Sequence, residues 1–280
     1  MKPISLYPNP KRDEDFVHTK ALLAALSDSE RTFLISEKYR EAFRADFPRL
    51  SFVPEDKLFT DGEVLIPLGG DGTILSVAAK AAKANIPVLG INLGKVGFMA
   101  GLEKKDLARL PSLTAKDFTV SERMLLSCRV GDQKPLYALN EIVIAQELGF
   151  HIVEMDLAAD RRKLTRFRAD GIIFNTPTGS TGYSFSAGGA VTESELDCIG
   201  VKAISSYMLI HSHHMLFRPE TRFTVSKIRS EGGRITVCAD GRESLVVGEQ
   251  ESVTVQRAEE KLKLCFLGKK SNLEVFFRKF

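Results

Sequence analysis

An aspartate inside a glycine-rich loop is the first feature of this chain that could do chemistry. In Leu68-Gly69-Gly70-Asp71-Gly72-Thr73 three glycines fall within four positions. Such a backbone turns sharply and brings bare N–H groups close to a phosphate, where side chains would collide. A strand-like run over residues 63–68 feeds the loop, and residues 74–80 lead out with helical periodicity. The positive end of that helix dipole adds to the attraction for an anion. A carboxylate repels what such a loop attracts, which suggests that Asp71 handles a proton or a metal during phosphoryl chemistry. The alternative is a Gly-Asp-Gly turn with Asp71 capping the helix; the loop alone leaves both open. Its spacing is neither G-x-G-x-x-G nor the Gly-Lys-Ser/Thr ending of a Walker loop.

A second chemical stretch begins at Arg168-Ala169-Asp170-Gly171 and continues through Asn175-Thr176-Pro177-Thr178-Gly179-Ser180-Thr181-Gly182-Tyr183-Ser184-Phe185-Ser186. An apolar strand runs into hydroxyls and glycines around a rigid proline. These groups can offer N–H and O–H donors to sugar hydroxyls and phosphates, and Tyr183 a flat apolar face. A long polar turn is the simpler reading, but the hydroxyl and small residues exceed what a turn needs, so a binding loop is favoured. Arg168 can grip a phosphate bidentately or pair with Asp170 on the surface. Asn140-Glu141 reads unaided as a turn before the strand at 142–144, residues 93–101 as a loop hugging a sheet edge, and His151 as a surface histidine. His211, His213 and His214 have no carboxylate near them in sequence, so a packed or hydrogen-bonded group is expected rather than a metal site. Arg161-Arg162-Lys163 is expected at a hairpin tip.

The elements that must position these residues change character along the chain. Residues 2–7, 31–35, 63–68 and 87–92 read as short apolar strands, and 13–26, 37–47 and 74–80 as helices. This alternation predicts βαβ units around a parallel sheet, whose ligands gather at the carboxyl ends of the strands. From about residue 117 the period becomes two. Runs at 119–130, 138–145, 152–158, 171–174, 223–226, 234–238 and 252–256 predict an all-β, sandwich-like domain. Pro111-Ser112 marks the border, giving an α/β domain over 1–113, a β-rich domain over 114–268 and a tail over 269–280.

At 280 residues, 44% hydrophobic and 27% charged, the composition is that of an ordinary soluble globular protein. A net charge of +3 is too small and dispersed to imply nucleic acid or a membrane surface. The first residues contain no apolar core of signal-peptide length. The longest uncharged run, 203–217, falls short of the roughly 20 apolar residues of a membrane span and is expected to hold a strand or two. Cys128, Cys198, Cys238 and Cys265 are scattered without a C-x-x-C pair, so a reducing, cytoplasmic compartment is the expectation.

Taken together, Gly69-Gly70-Asp71-Gly72-Thr73, Gly94-Lys95-Val96-Gly97-Phe98, Asn140-Glu141, Asp170-Gly171 and Thr176-Pro177-Thr178-Gly179-Ser180-Thr181-Gly182-Tyr183 resemble NAD kinases, in that family's order and over nearly the whole chain. The first motif is shared with diacylglycerol-kinase-like and phosphofructokinase-like enzymes; the T-P-T-G-S-T run is far more specific. The resemblance implies a two-domain enzyme that phosphorylates the adenosine 2′-hydroxyl of NAD to give NADP. It also implies ATP or inorganic polyphosphate as donor, a divalent metal such as Mg²⁺, and a dimer or tetramer. Asp71 would be the proton acceptor, and Gly69, Gly70, Gly72 and Thr73 would shape the phosphate pocket. Gly72, Asn140, Glu141, His151, Arg168, Asp170, Thr181, Gly182, Tyr183, Ser184, Phe185 and Ser186 align with NAD contacts. No protein ligands to the metal are identified, and the final segment would pack on the first domain. Three departures stand out: Gly182 where relatives carry Ala, Ser212-His213-His214 before Arg218-Pro219, and Arg242 where relatives often carry Gln. Two competing readings are a lipid or sugar kinase, which leaves 176–183 unexplained, and a nucleotide sensor, which has no need of Asp71.

Overall fold

The fold is taken from a computed structural model, which describes residues 2–43, 47–95, 97–147, 152–208, 213–230, 232–248, 250–268 and 272–279. The chain divides into two compact units, one of Met1–Glu122 with Lys261–Phe280 and the other of Arg123–Glu260.

In the first unit β1 (Ile4–Pro8), β2 (Phe33–Ser36), β3 (Leu50–Val53), β4 (Val64–Gly69), β5 (Ile91–Asn92) and β6 (Leu102–Glu103) form one sheet. Its order is β3-β2-β1-β4-β5-β6 and its pairings are parallel. Leu6, Ile35, Leu65, Leu68, Ile91 and Leu102 are fully buried within it, as in parallel strands covered on both faces. Three helices accompany these strands: α1 (Val17–Ala25), α2 (Lys57–Thr60) and α3 (Asp71–Lys83). In α3 the buried residues Ile74, Val77, Ala78, Ala81 and Ala82 make one apolar face. Lys80 and Lys83 in its last turn suit the negative end of its dipole. The first helix starts later than its periodicity predicts. Asp15 and Phe16 take positive φ, and the buried Asp13 carboxylate accepts the N–H groups of His18 (2.8 Å) and Thr19 (3.0 Å). Residues 37–43 form a 3₁₀ helix rather than the start of an α-helix, a form suited to pieces too short to propagate an α ladder. The strand expected at 87–92 is reduced to β5, with Val88 making isolated bridges to Leu65 and Leu264. Pro87, with no N–H, cannot extend the ladder.

The second unit is all β. Its strands are β7 (Phe118–Val130), β8 (Leu136–Ala138), β9 (Glu141–Gln146), β10 (Val153–Ala159), β11 (Arg162–Ala169), β12 (Gly171–Asn175), β13 (Ile199–Ile204), β14 (Met215–Phe217), β15 (Phe223–Ser230), β16 (Ile235–Ala239), β17 (Glu243–Val247) and β18 (Val253–Leu267), with β7 and β18 running on into the first unit. Two sheets result, ordered β11-β10-β15-β18-β7-β8 and β14-β13-β12-β9-β16-β17. Leu126, Phe167, Val225 and Val253 of one sheet share a core with Ile144, Phe174, Val201 and Val237 of the other. That is the sandwich the alternating pattern predicts. The Phe174 and Phe223 rings meet across it at 5.2 Å. Asp160 (φ 48°) and Arg161 (φ 66°) close the β10–β11 hairpin in a two-residue turn, at the tip expected from the basic run. Three strands escaped the sequence reading, β8, β11 and β17, while β14 lies within, and β13 runs into, the 203–217 stretch expected to hold a strand or two. In β11 only Phe167 and Ala169 are buried, too few to show an alternation. A short helix, α4 (Tyr183–Ser186), follows β12 after one 3₁₀ turn, Thr178–Thr181.

Val88 N–H donates to Lys263 (2.8 Å), and Cys265 N–H donates back to Val88 (2.8 Å), so the end of β18 is built into the first unit. A final helix, α5 (Asn272–Lys279), follows, with Val275 buried. The sequence reading gave 114–122 and 261–268 to the β domain; the compact units put them with the first. From Phe118 in the one and up to Leu267 in the other they belong to the long strands β7 and β18, whose periodicity does not change where the packing partner does. Among the described residues no helix is long and apolar enough to cross a membrane.

Candidate functional site

In the first unit's sheet the winding reverses between β1 and β4, and ligands of doubly wound sheets bind beyond the carboxyl ends at such a switch. Two loops leave the sheet there. Asn9, just past β1, donates its N–H to Leu68 (2.9 Å) and its Nδ2 to Thr73 Oγ1 (2.9 Å). Gly69, ending β4, has no room for a side chain: a Cβ would lie 2.2 Å from Thr73 Oγ1. At Gly70 and Gly72 a Cβ would meet nothing within 4 Å. Only Gly69 is therefore demanded by packing, while the other two leave open ground over the first turn of α3.

Asp71 is the first residue of α3, but Gly70 holds the capping position. The Asp71 carboxylate instead accepts two N–H groups from a distant loop, Phe98 to Oδ2 (3.0 Å) and Met99 to Oδ1 (3.1 Å). This answers the capping alternative. It also gives the 94–101 loop a task beyond edging the sheet. That loop is fastened by Leu93 N–H to Gly69 (2.6 Å) and by buried Asn92, which accepts Gly94 N–H (3.0 Å) and donates to Glu103 (2.8 Å). Each Asp71 oxygen keeps a lone pair that can accept a further donor, and the side chain is half-exposed.

In the second unit the Asn140–Glu141 turn and the 176–186 stretch come together. Thr176 donates its N–H to Asn140 (2.9 Å) and its Oγ1 to Leu139 (2.5 Å). Gly179 passes so close that a Cβ would lie 2.1 Å from the Asn140 carbonyl oxygen. At Gly182 a Cβ would lie 2.8 Å from Glu141 Oε2 and 3.4 Å from Asn140 Nδ2, so alanine there would displace the carboxylate. Asn140 Oδ1, Glu141 Oε2 and Ser184 Oγ are buried yet have no hydrogen-bond partner. Native proteins rarely leave such atoms unserved, and a bound ligand is one way to serve them. Burial, then the nearby Asp240 charge, pushes the Glu141 carboxyl up to about 7 against the Tyr183 N–H that it accepts. Tyr183 is 44% exposed and presents its ring to solvent. Ser186 is exposed; Thr181, Gly182 and Phe185 are half-buried.

The remaining candidates are more scattered. Arg168 pairs through Nε with Glu154 (2.8 Å), not with Asp170, and its guanidinium lies 5.4 Å from the Tyr207 ring centroid. Asp170 sits where the chain leaves β11 for β12, crossing from one sheet to the other, and donates its N–H to Ile204 (3.0 Å). His151 and His211 lie outside the described residues. His214 Nδ1 accepts Ala190 N–H (3.0 Å), so Nε2 carries the proton toward Asn175 Oδ1 (3.1 Å). Burial, helped by Lys202, lowers the His214 pKa; the ring is a hydrogen-bonded brace behind the 176–186 stretch. Among the described residues no three His, Cys, Asp or Glu side chains converge to hold a metal ion. Sequence reading missed Asn9, the Phe98 and Met99 amides and Asp240 as parts of these sites. Each acts on a residue at least 27 positions away, beyond the reach of any local signal.

Comparison with known proteins gives a consistent result. Residues 18–115 match the ATP-NAD kinase N-terminal domain family and residues 139–267 the ATP-NAD kinase C-terminal domain family. An NAD kinase from Natranaerobius thermophilus is 31% identical over 276 residues, covering 97% of this chain and 95% of the relative. One from Caldicellulosiruptor saccharolyticus is 38% identical over 216 residues, covering 77% and 81% respectively. Yeast NADH kinase complexed with NADH shares the fold, with a TM-score of 0.85 at 21% identity over 99% of this chain and 86% of that one. An NAD kinase from Archaeoglobus fulgidus in complex with ATP is similar with a TM-score of 0.72 at 25% identity, over 99% and 96%.

Proposed function

This chain belongs to the NAD kinase family and phosphorylates NAD, and we propose that it does so at the adenosine 2′-hydroxyl, with ATP as donor and Asp71 as proton acceptor. The observation that carries this reading is the Asp71 carboxylate, turned away from its own helix and held by the Phe98 and Met99 amides beside the open ground of Gly70 and Gly72.

An alcohol is a weak nucleophile at neutral pH, and a carboxylate set against its proton assists attack. As the 2′-oxygen bonds to the γ-phosphorus the γ-phosphorus–oxygen bond to ADP breaks, and the hydroxyl proton passes to Asp71. In a loose phosphoryl-transfer transition state much of the catalysis is positioning and charge neutralisation. Asp71 therefore orients the hydroxyl as well as receiving its proton, and its fixed geometry suits both tasks. The first turn of α3 provides its dipole for phosphate, Gly70 and Gly72 leave the approach open, and Gly69, Thr73 and Asn9 form the frame beneath.

For the dinucleotide, Asn140, Glu141 and Ser184 supply the buried polar atoms that lack partners, and Tyr183 a ring for stacking. Thr181, Gly182, Phe185 and Ser186 line the same stretch, and Asp170 and Arg168 stand at the strand crossing that leads into it. For Arg168 to grip a phosphate it must exchange the pair with Glu154. A divalent cation would neutralise charge on the donor's phosphates, and among the described residues no group of three His, Cys, Asp or Glu side chains is arranged to hold one. We place the protein in the cytoplasm on its four free cysteines, and as a homodimer or homotetramer on family resemblance, which light scattering tests. Functionally we divide the chain into transfer chemistry on the unit of Met1–Glu122 with Lys261–Phe280 and dinucleotide recognition on the unit of Arg123–Glu260. The test of the whole reading is NADP formation from NAD, with ATP and polyphosphate offered separately and Asp71→Asn as control.

A further inference from the structure

Asp240, at the end of β16, makes an arrangement that the proposed chemistry does not use. Its carboxylate reaches across to the turn before β9 and accepts three consecutive backbone N–H groups: Leu139 to Oδ2 (2.8 Å), Asn140 to Oδ1 (2.8 Å) and Glu141 to Oδ1 (3.0 Å). In return Asp240 donates its own N–H to the Glu141 carbonyl (3.0 Å). The residue holds a left-handed conformation (φ 50°) to do this, one that aspartate tolerates better than most. Three amides converging on one anion form a rigid nest. The side chains that this nest fixes are those of Asn140 and Glu141, of which Asn140 Oδ1 and Glu141 Oε2 are buried without partners.

We infer that Asp240 is a positioning residue for dinucleotide recognition, holding the Asn140–Glu141 turn and setting its own charge beside the Glu141 carboxyl. The inference rests on the proposed binding of NAD at this turn. The second part follows from the surroundings of Glu141. The groups facing it are the Asp240 carboxylate and the Cys238 thiol from β16 and the Tyr183 N–H from α4, with Arg242 beside Asp240. Burial raises the Asp240 carboxyl, while its three amide donors and Arg242 pull it back. Burial also raises the Cys238 thiol, which stays neutral. Burial, and then the Asp240 anion beside it, favour the acid form of Glu141 against its one N–H donor. Its free oxygen can then donate as well as accept.

Asp240→Asn and Asp240→Ala separate the two effects. Alanine removes all three acceptors. Asparagine keeps one oxygen for the Asn140 and Glu141 amides, turns its NH₂ against Leu139, and removes the charge beside Glu141. We would measure NAD dissociation constants by calorimetry, KM for NAD and ATP, and kcat from pH 5.5 to 9, with near-ultraviolet circular dichroism as the check on folding. Asp240→Ala is expected to weaken NAD at least tenfold while the KM for ATP changes less than twofold. In Asp240→Asn the inflection in NAD affinity, expected near the wild-type Glu141 value of about 7, moves to lower pH. Should alanine fail to fold, the asparagine variant still decides through its pH profile. NAD affinity within twofold of wild type in the folded variants, or an inflection that stays in place, would overturn the inference and leave the kinase assignment standing. No NAD binding by wild-type protein would end the NAD reading itself and this inference with it.

Discussion

At the scale of residues, the three loop glycines are unlike one another. Gly69 is the one that cannot change: a methyl group there overlaps Thr73 Oγ1 and, through it, the Asn9 contact. Gly69→Ala is expected to cost about 1–3 kcal/mol of stability and most of the activity. Gly72→Ala meets open space, so its folding should be unchanged while the KM for ATP rises severalfold, because the methyl stands where phosphate approaches. Thermal melts and steady-state kinetics on the pair check this; equal stability losses in both would contradict it.

Glu141 gives a second residue-scale expectation, one of linkage. A carboxyl raised to about 7 by folding contributes stability that is complete below its unfolded value and is lost as pH rises through 7. Glu141→Gln should therefore gain about 3 kcal/mol over wild type at pH 8 but only about 1 kcal/mol at pH 5, read by urea unfolding at the two pH values. It should bind NAD less tightly, because an amide presents a different set of hydrogens to the ligand. A stabilisation equal at both pH values would show that Glu141 is not the titrating group.

At the scale of elements, what was legible in the sequence was local. The strand–loop–helix around Asp71 showed itself through apolar periodicity and glycine spacing, and the 176–186 loop through its density of hydroxyls. What escaped was the partner that turns each local feature into a site. Residue 71 carries no mark that it will accept the amides of Phe98 and Met99, and nothing at Asn140 announces Asp240, 100 positions away. These are tertiary hydrogen bonds to backbone N–H groups, which every non-proline residue possesses, so residue type gives no signal. The capping alternative for Asp71 persisted in the sequence for that reason. Gly97 offers a test of the loop's task. A Cβ there would lie 2.9 Å from Asp71 Oδ1, so Gly97→Ala should shift the carboxylate and lower kcat on the order of ten- to hundredfold. NAD affinity should stay near wild type. Unchanged kcat would mean that Asp71 tolerates displacement and does not act through fixed geometry.

At the scale of the whole molecule, the change from helical periodicity to alternation predicted the two fold classes correctly, a parallel α/β sheet and an antiparallel sandwich. Composition and period could not reveal that β18 serves both units, because Leu262, Leu264 and Phe266 are as apolar and as buried as Val253 and Val255 earlier in the strand. The consequence is testable by truncation. A chain ending at residue 260 loses the backbone bonds between Val88 and the Lys263–Cys265 segment and should leave the first unit unfolded. A chain ending at residue 268 keeps them and should retain its folded signal. Limited proteolysis with circular dichroism distinguishes the two; a folded first unit in the shorter chain would show that the returning strand is dispensable.

The most direct measurement is the rate of NADP formation from NAD, ATP and Mg²⁺ by wild type and by Asp71→Asn, with NAD binding followed by calorimetry in both. Wild type should make NADP. The variant should bind NAD within a few-fold of wild type while its turnover falls by roughly 10²–10⁴, the usual contribution of a general base. An Asp71→Asn protein that binds NAD and still makes NADP at the wild-type rate would contradict the assignment of Asp71 as proton acceptor.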